Sequence, residues 1–148
     1  DLEQIISQAE APAELVILEV TESKIAEDVS SVLSALTRLR LKGFGISIDD
    51  FGTGFSSMEQ LRKFPFTELK IDRAFVAGAQ QKPSARAIFE SSVNLAKLLS
   101  ISSVAEGAED AEDLALCREL GVDLIQGYFI AKPMPPEEFL AWALKRGH

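Results

Sequence analysis

Short apolar segments alternate with longer amphipathic segments along almost the whole chain. Strand character falls on residues 15–20, 44–48, 68–71, 101–105 and 122–129. The strand cores are continuously apolar, as in Val16, Ile17 and Leu18, which is typical of strands covered on both faces in a parallel sheet. The pattern therefore predicts an α/β fold with about five parallel strands and covering helices.

The segments between these strands carry apolar residues at helical spacing. Pro12 ends the first such segment, Gly43 ends the second, and Pro135 with Pro136 begins the last. Six helices are predicted, around residues 2–9, 29–39, 58–61, 88–99, 110–120 and 135–144. The chain therefore reads as a series of strand-plus-helix units.

Each predicted strand ends in polar groups. These groups are Glu19, Asp49 with Asp50, Lys70, Glu106 and Gln126. Parallel strands bring their carboxyl ends to one edge of the sheet, and in a (β/α)8 barrel the catalytic groups come from several such ends. A doubly wound nucleotide-binding fold loses its main support, because the chain has no GxGxxG or GxxxxGK[ST] loop.

Five strands do not close an eight-stranded barrel. Either the chain is the C-terminal portion of a larger domain, or another element covers the open strand edges. We favour the first interpretation, a partial TIM-like barrel in which residues 1–148 are the downstream part of one domain.

Composition narrows the class of protein. With 148 residues, 47% of them hydrophobic, the chain can build one core, and a net charge of −8 argues against a nucleic-acid partner. No apolar run approaches the roughly 20 residues that cross a bilayer, so we expect a cytoplasmic protein without a membrane segment. Cys117 is the only cysteine and is predicted to lie in the core.

The acidic strand ends indicate a metal site. Glu19, Asp49, Asp50 and Glu106 would repel one another if gathered at one edge, and a divalent cation would relieve that repulsion. Oxygen ligands without histidine or cysteine favour Mg²⁺ or Mn²⁺, and a neighbouring aspartate pair at a strand end could serve two ions. Any one of these residues alone could equally be a helix cap or a solvated loop residue.

Lys70 and the loop after Asp50 complete the candidate chemistry. Lys70 could orient or deprotonate water, neutralise a phosphate oxygen, or simply pair with Asp72 at the surface. The loop contains Gly52 and Gly54, which allow positive φ angles and close approach to a ligand or partner. A protein kinase is excluded, because the DFG sequence occurs without the HRD, VAIK and glycine-rich motifs.

Five motifs, taken in order, resemble those of the EAL-domain family of cyclic di-GMP phosphodiesterases. They are EVTES at 19–23, DDFGTGFSS at 49–57, LKIDRAF at 69–75, AEGAED at 105–110 and QGYFIAKPMP at 126–135. The resemblance implies a (β/α)8-type barrel that hydrolyses cyclic di-GMP to linear pGpG with two Mg²⁺ or Mn²⁺ ions.

The resemblance also implies residue roles. Glu19, Asp49, Asp50 and Glu106 look like the metal ligands, with Asp49 bridging both ions and Glu106 on the second ion or its water. Lys70 looks like the residue that positions the water.

Further matching positions lie around these groups. Gln126 looks like the residue that assists nucleophile or substrate, and Glu22 matches the anchor of the loop that contains Gly52, Thr53 and Gly54. The family uses this loop to organise metals and to form homodimers. Glu109 and Pro133 match positions near the substrate.

The chain departs from the family pattern in two ways. Ala108 and Asp110 stand where the family usually has Val and Thr, which keeps both glutamates of that motif. The Glu-Ala-Leu segment and the Asn-x-Ser strand, which supply further ligands, are absent from this sequence. We therefore expect poor activity from this chain alone and an upstream regulatory domain in the complete protein.

Two other functions stay open. The chain could be a non-catalytic module that binds cyclic di-GMP or a partner through the DFGTG loop. More remotely, it could belong to another metal-dependent barrel hydrolase.

Overall fold

A single parallel sheet organises the molecule. The computed structural model describes residues 2–53 and 58–146. In sequence order the strands are β1 (Ile17–Thr21), β2 (Gly45–Phe51), β3 (Glu68–Ile71), β4 (Ser102–Glu106) and β5 (Leu124–Gln126). Each strand pairs in parallel with the next one along the chain. The prediction of an α/β fold with five parallel strands is confirmed.

The described residues form eight α-helices. They are α1 (Leu2–Gln8), α2 (Glu22–Glu27), α3 (Val29–Leu41), α4 (Met58–Lys63), α5 (Arg73–Val76), α6 (Pro83–Leu99), α7 (Ala111–Leu120) and α8 (Pro136–Arg146). The six predicted helices are present. Helices α2 and α5 were not predicted, because segments of 6 and 4 residues are too short to show a helical spacing of apolar residues. Among the helices so described, none combines the length and apolar character needed to span a membrane.

Two predicted strands are too long. The first begins at Ile17 because Ala13–Leu15 form a 3₁₀ turn ahead of it. The last ends at Gln126 because the chain then turns, and the amides of Ile130 and Ala131 both donate to the Gly127 carbonyl oxygen. Aromatic residues after Gln126 therefore lie in a loop and not in the sheet.

The core lies on the three central strands and the helices that cover them. Ile46, Ile48, Leu69 and Ile71 are fully buried, and Phe89 of α6 packs in the same cluster. The outer strands β1 and β5 are more exposed, since Ile17 is 48% and Leu124 53% accessible. The ends of β2, β3 and β4 are therefore held on both sides by neighbouring strands.

The prediction that Cys117 lies in the core is confirmed. Its side chain is fully buried on α7. Burial, together with the nearby Asp113 carboxylate, raises the pKa of the Cys117 thiol to about 11. The thiol is therefore protonated and shielded at neutral pH.

We expect iodoacetamide at pH 8 to modify Cys117 at least about a hundredfold more slowly in the folded protein than in concentrated urea. Both burial and the raised pKa act in this direction. Mass spectrometry of the peptide that contains Cys117 measures the two rates. Equal rates would contradict the buried position.

Candidate functional site

Lys70 is the centre of the charged groups at the carboxyl edge of the sheet. Its Nζ atom lies 2.9 Å from Glu19 Oε1, 3.1 Å from Asp49 Oδ1 and 2.8 Å from Glu106 Oε1. The Lys70 side chain is only 7% exposed, whereas that of Glu19 is 51% exposed. One ammonium group thus contacts carboxylates from three of the other four strands, β1, β2 and β4.

These contacts fix the charge of Lys70. Burial alone would favour the neutral amine, but contacts with Glu106, Glu19 and Asp49 outweigh it and raise the pKa of Lys70 above its ordinary value. The suggestion of a surface pair with Asp72 is wrong, because Lys70 is buried among these three carboxylates. Asp72 instead caps α5 by accepting from the Ala74 amide at 2.8 Å.

A β-bulge brings the adjacent aspartates to the same edge. Ile48 pairs with Leu69 and Phe51 pairs with Ile71, so that Asp49 and Asp50 together face the single residue Lys70. Asp50 has a φ angle of 56°, in the left-handed region that aspartate tolerates better than most residues. Neighbours in a regular strand would point to opposite faces. The sequence predicted this aspartate pair at a strand end, whereas the structure places it in a bulge inside β2.

Three carboxylates are close enough to share a cation. Asp49, Asp50 and Glu106 each offer one oxygen, and these oxygens lie within 4.8 Å of one another. Glu19 is not in this group and reaches it through Lys70. Three of the four predicted ligands are therefore brought together, with Glu19 beside them.

The chemistry of this group fits a divalent cation. Asp49 Oδ1 is buried and contacts the Lys70 ammonium, whose Nζ lies 3.1 Å away. Partial burial, followed by the charges of Asp49 and Asp72, raises the pKa of Asp50. The negative charges of these carboxylates repel one another, and a divalent cation would offset that repulsion. Oxygen ligands of this kind are suited to Mg²⁺, Mn²⁺ or Ca²⁺.

The start of the glycine-containing loop is tied to the first residue of α2. Glu22 is 4% exposed, and its Oε2 accepts a hydrogen bond of 3.3 Å from the Gly52 amide. Gly52 has a φ angle of 100°, and a Cβ atom there would lie 2.9 Å from the Phe75 ring. Thr53 Oγ1 donates to the Asp50 carbonyl at 2.8 Å. Gly54, which was also predicted to act in this loop, lies outside the described residues.

The remaining predicted residues line one cavity of about 510 Å³. Gln126 is exposed at the end of β5, where it pairs with Glu106, and Glu109 forms an ion pair with Arg73. Pro133 lies in the loop before α8 and is exposed to the same cavity. Gln126, Glu109 and Pro133 therefore form a second part of the site, beside the strand that carries Glu106.

The lining of this cavity also includes side chains that the sequence did not predict, among them three that can contact a ligand through a charged or aromatic group. Arg73, Tyr128 and Trp142 all line it. Arg73 and Tyr128 lie inside the motifs LKIDRAF and QGYF, which are the sequence signal for them. Trp142 gave no signal, because on α8 it reads as one more apolar residue of a helix.

Comparison with known proteins gives consistent matches over this chain. A family model described as EAL domain matches residues 1–133. Cyclic di-GMP phosphodiesterase RocR of Pseudomonas aeruginosa is 39% identical over 140 residues, which make up 95% of this chain and 36% of RocR. The chain thus spans little more than a third of this relative.

Solved structures agree with the sequence matches. The PaMucR phosphodiesterase in complex with cyclic di-GMP gives a TM-score of 0.90 at 37% identity, over 93% of this chain and 56% of that one. Klebsiella pneumoniae BlrP1 in complex with manganese and cyclic di-GMP gives a TM-score of 0.83 at 30% identity, over 89% of this chain and 34% of BlrP1. Both structures extend well beyond the part that matches this chain.

Proposed function

This chain belongs to the EAL domain family, and we propose that it is the C-terminal portion of a domain that hydrolyses cyclic di-GMP to linear pGpG. The observation that carries the proposal is the buried Lys70 ammonium among Glu19, Asp49 and Glu106, with Asp50 beside them. RocR, whose name states this phosphodiesterase activity, supports the assignment. Because the chain spans only part of such relatives, the activity is proposed for a complete domain.

We propose that the metal ions are Mg²⁺ or Mn²⁺, two per complete domain. Asp49, Asp50 and Glu106 would hold them, and Glu19 would join this set. When bound, divalent cations activate water for attack on a phosphodiester and offset the charge that develops on its oxygens. The close approach of the Asp49, Asp50 and Glu106 oxygens supports this choice, as does the manganese complex of BlrP1.

Lys70 would act as a fixed positive charge and not as a general base. Its ammonium is protonated at neutral pH, and three hydrogen-bond donors point toward acidic groups. Such a group can orient a water or stabilise negative charge on the phosphate in the transition state. The proton released by the attacking water would then go to a group other than Lys70.

The cavity lined by Gln126, Glu109 and Pro133 would hold the rest of the substrate. Its Arg73 side chain offers hydrogen-bond donors, and the aromatic rings of Tyr128 and Trp142 offer flat apolar surfaces for a base. Gln126 would assist the nucleophile or the substrate, since it lies at the strand end next to Glu106.

The segment from Gly52 to Gly54 is proposed as the link between the site and a partner. Glu22 would anchor it, and Thr53 would keep Asp50 in place. We propose that a homodimer forms through this region and that an upstream domain regulates the activity.

Glu106→Gln is expected to lower the rate of pGpG formation at least about a hundredfold, since it removes one charge from the metal group. The full-length protein is incubated with cyclic di-GMP and Mn²⁺ or Mg²⁺, and the products are separated by chromatography. Glu119→Gln is the matched control, because Glu119 is 61% exposed and pairs with Arg86 on the surface. This control should retain full activity.

Two results would change the proposal. Equal pGpG formation by the Glu106→Gln variant and the unmodified protein would remove this site from the reaction. Tight binding of cyclic di-GMP by the unmodified protein without any turnover would favour the non-catalytic binding module instead.

A further inference from the structure

Asp113 is a buried carboxylate outside the charged group around Lys70. It lies in the first turn of α7 and is only 2% exposed. Aspartate is seldom buried unless its oxygens are satisfied by hydrogen bonds or ion pairs. We propose that Asp113 is a positioning residue for the substrate cavity, an inference that rests on the proposed function.

The two oxygens of Asp113 hold two different loops. Oδ1 accepts a hydrogen bond of 2.9 Å from the Gly78 amide, and Oδ2 accepts one of 2.9 Å from the Glu109 amide. Gly78 lies in the connection that follows β3 and α5, whereas Glu109 lies in the loop that follows β4. Hydrogen bonds to an ionised acceptor are stronger than those between neutral groups. One carboxylate therefore joins the connection that follows Lys70 along the chain to the loop that follows Glu106.

The loop at residues 107–110 contacts both sides of the cavity. The Glu109 side chain forms an ion pair with Arg73. The Ala108 amide donates to the Gln126 carbonyl at 3.3 Å, and the Ala108 carbonyl accepts from the Phe129 amide at 3.1 Å.

The packing at Gly127 shows how close these segments lie. A Cβ atom on Gly127 would lie 2.2 Å from the Ala108 carbonyl oxygen, so that only glycine permits this approach. A shift of the loop would therefore move the residues after Gln126 and change the shape of the cavity.

This arrangement predicts an effect on substrate binding more than on the chemical step. Asp113 bonds to backbone amides of the loops and not to the Lys70 ammonium, which contacts three other carboxylates. If the loop keeps its binding conformation only about one-tenth of the time, apparent affinity falls about tenfold. We expect Asp113→Ala to raise KM about tenfold and to change kcat by less than about twofold.

The test uses steady-state hydrolysis of cyclic di-GMP by the full-length protein at saturating Mn²⁺. Asp113→Asn keeps the shape of the side chain and one acceptor oxygen, but its NH2 group would face the second loop amide, which is also a donor, so this variant should release one loop and raise KM as well. This variant also carries the test if Asp113→Ala does not fold.

Asp123→Ala is the matched control. Asp123 Oδ2 accepts from the Ser103 amide at 2.8 Å and from Ser103 Oγ at 2.7 Å, at the opposite edge of the sheet. Its loss should lower thermal stability without raising KM. An equal rise of KM in the Asp123 variant would mean that general destabilisation explains the effect, and would overturn the inference.

Two further results separate the inference from the proposed function. An active unmodified protein whose KM is unchanged by Asp113→Ala overturns the inference alone. A protein without any turnover overturns the proposed function. Hydrogen exchange then still decides whether Asp113 holds the loops, since only exchange at the Gly78 and Glu109 amides should accelerate in Asp113→Ala.

Discussion

Replacing Lys70 by methionine is expected to lower kcat about a thousandfold at saturating cyclic di-GMP and Mn²⁺, because one positive charge aimed at the reacting groups is lost. Methionine keeps most of the apolar stem and removes only the ammonium. Lys70→Arg keeps the charge but replaces a compact donor by a wide planar one, so that it should restore little activity. Chromatographic measurement of initial pGpG formation gives kcat for each variant.

The same substitution should destabilise the metal-free protein by about 3 kcal/mol, the range for removing one member of a buried ion pair. Glu19, Asp49 and Glu106 would then face one another without the ammonium that now contacts all three. Added Mn²⁺ should recover much of this loss, because a cation replaces the missing charge. Urea unfolding with and without Mn²⁺ measures both values.

Lys24→Met is the control for this pair of effects. Lys24 also forms an ion pair, with Glu27, but both side chains are more than 60% exposed. Exposed pairs contribute little to stability, so that this variant should unfold at the same urea concentration as the unmodified protein and keep its full activity. If Lys70→Met had the kcat of the unmodified protein, Lys70 would have a structural role only, whatever the stability of the variant.

Much of the fold could be predicted because its signals are local. Each strand is a short apolar run that ends in a polar group, and the polar groups do lie at one edge. The two helices that were not predicted begin soon after a strand. Helix α2 begins at Glu22 after β1, and helix α5 begins at Arg73 after β3. Their formation depends on caps and packing more than on a stripe of apolar residues.

The arrangement of the site was harder to predict because it depends on distant pairing. The Asp49-Asp50 sequence alone does not indicate a bulge, because the bulge arises from the register between β2 and β3. Asp113 reads locally as an acidic residue in a first helical turn, but its burial depends on Gly78, which lies 35 residues earlier. By contrast, the positive φ of Gly52 follows from local composition.

The bulge leads to a prediction with opposite effects on stability and on metal binding. Asp50→Asn should weaken Mn²⁺ binding about a hundredfold, because it removes a charge from the ligand group. The metal-free protein should nevertheless become slightly more stable, with a small rise in Tm. Asparagine tolerates the left-handed conformation at this position, so that the bulge is kept.

The sign follows from the direction of the Asp50 pKa. Partial burial, Asp49 and Asp72 raise the pKa of Asp50 on folding, so that its ionised form costs stability once the pH exceeds the unfolded value. At pH 7.5 that cost is complete, and a neutral amide removes it. Calorimetry of Mn²⁺ binding and thermal unfolding in a chelator measure the two effects separately.

Asp28→Asn is the opposite case among the aspartates. Hydrogen bonds from Ser31 lower the pKa of Asp28, which caps α3, so that its charged form is favoured in the folded protein. Neutralising Asp28 should therefore give no gain in stability and no change in Mn²⁺ affinity. If Asp50→Asn behaved like Asp28→Asn in both measurements, Asp50 would be an ordinary turn residue and the two-aspartate metal group would have to be abandoned.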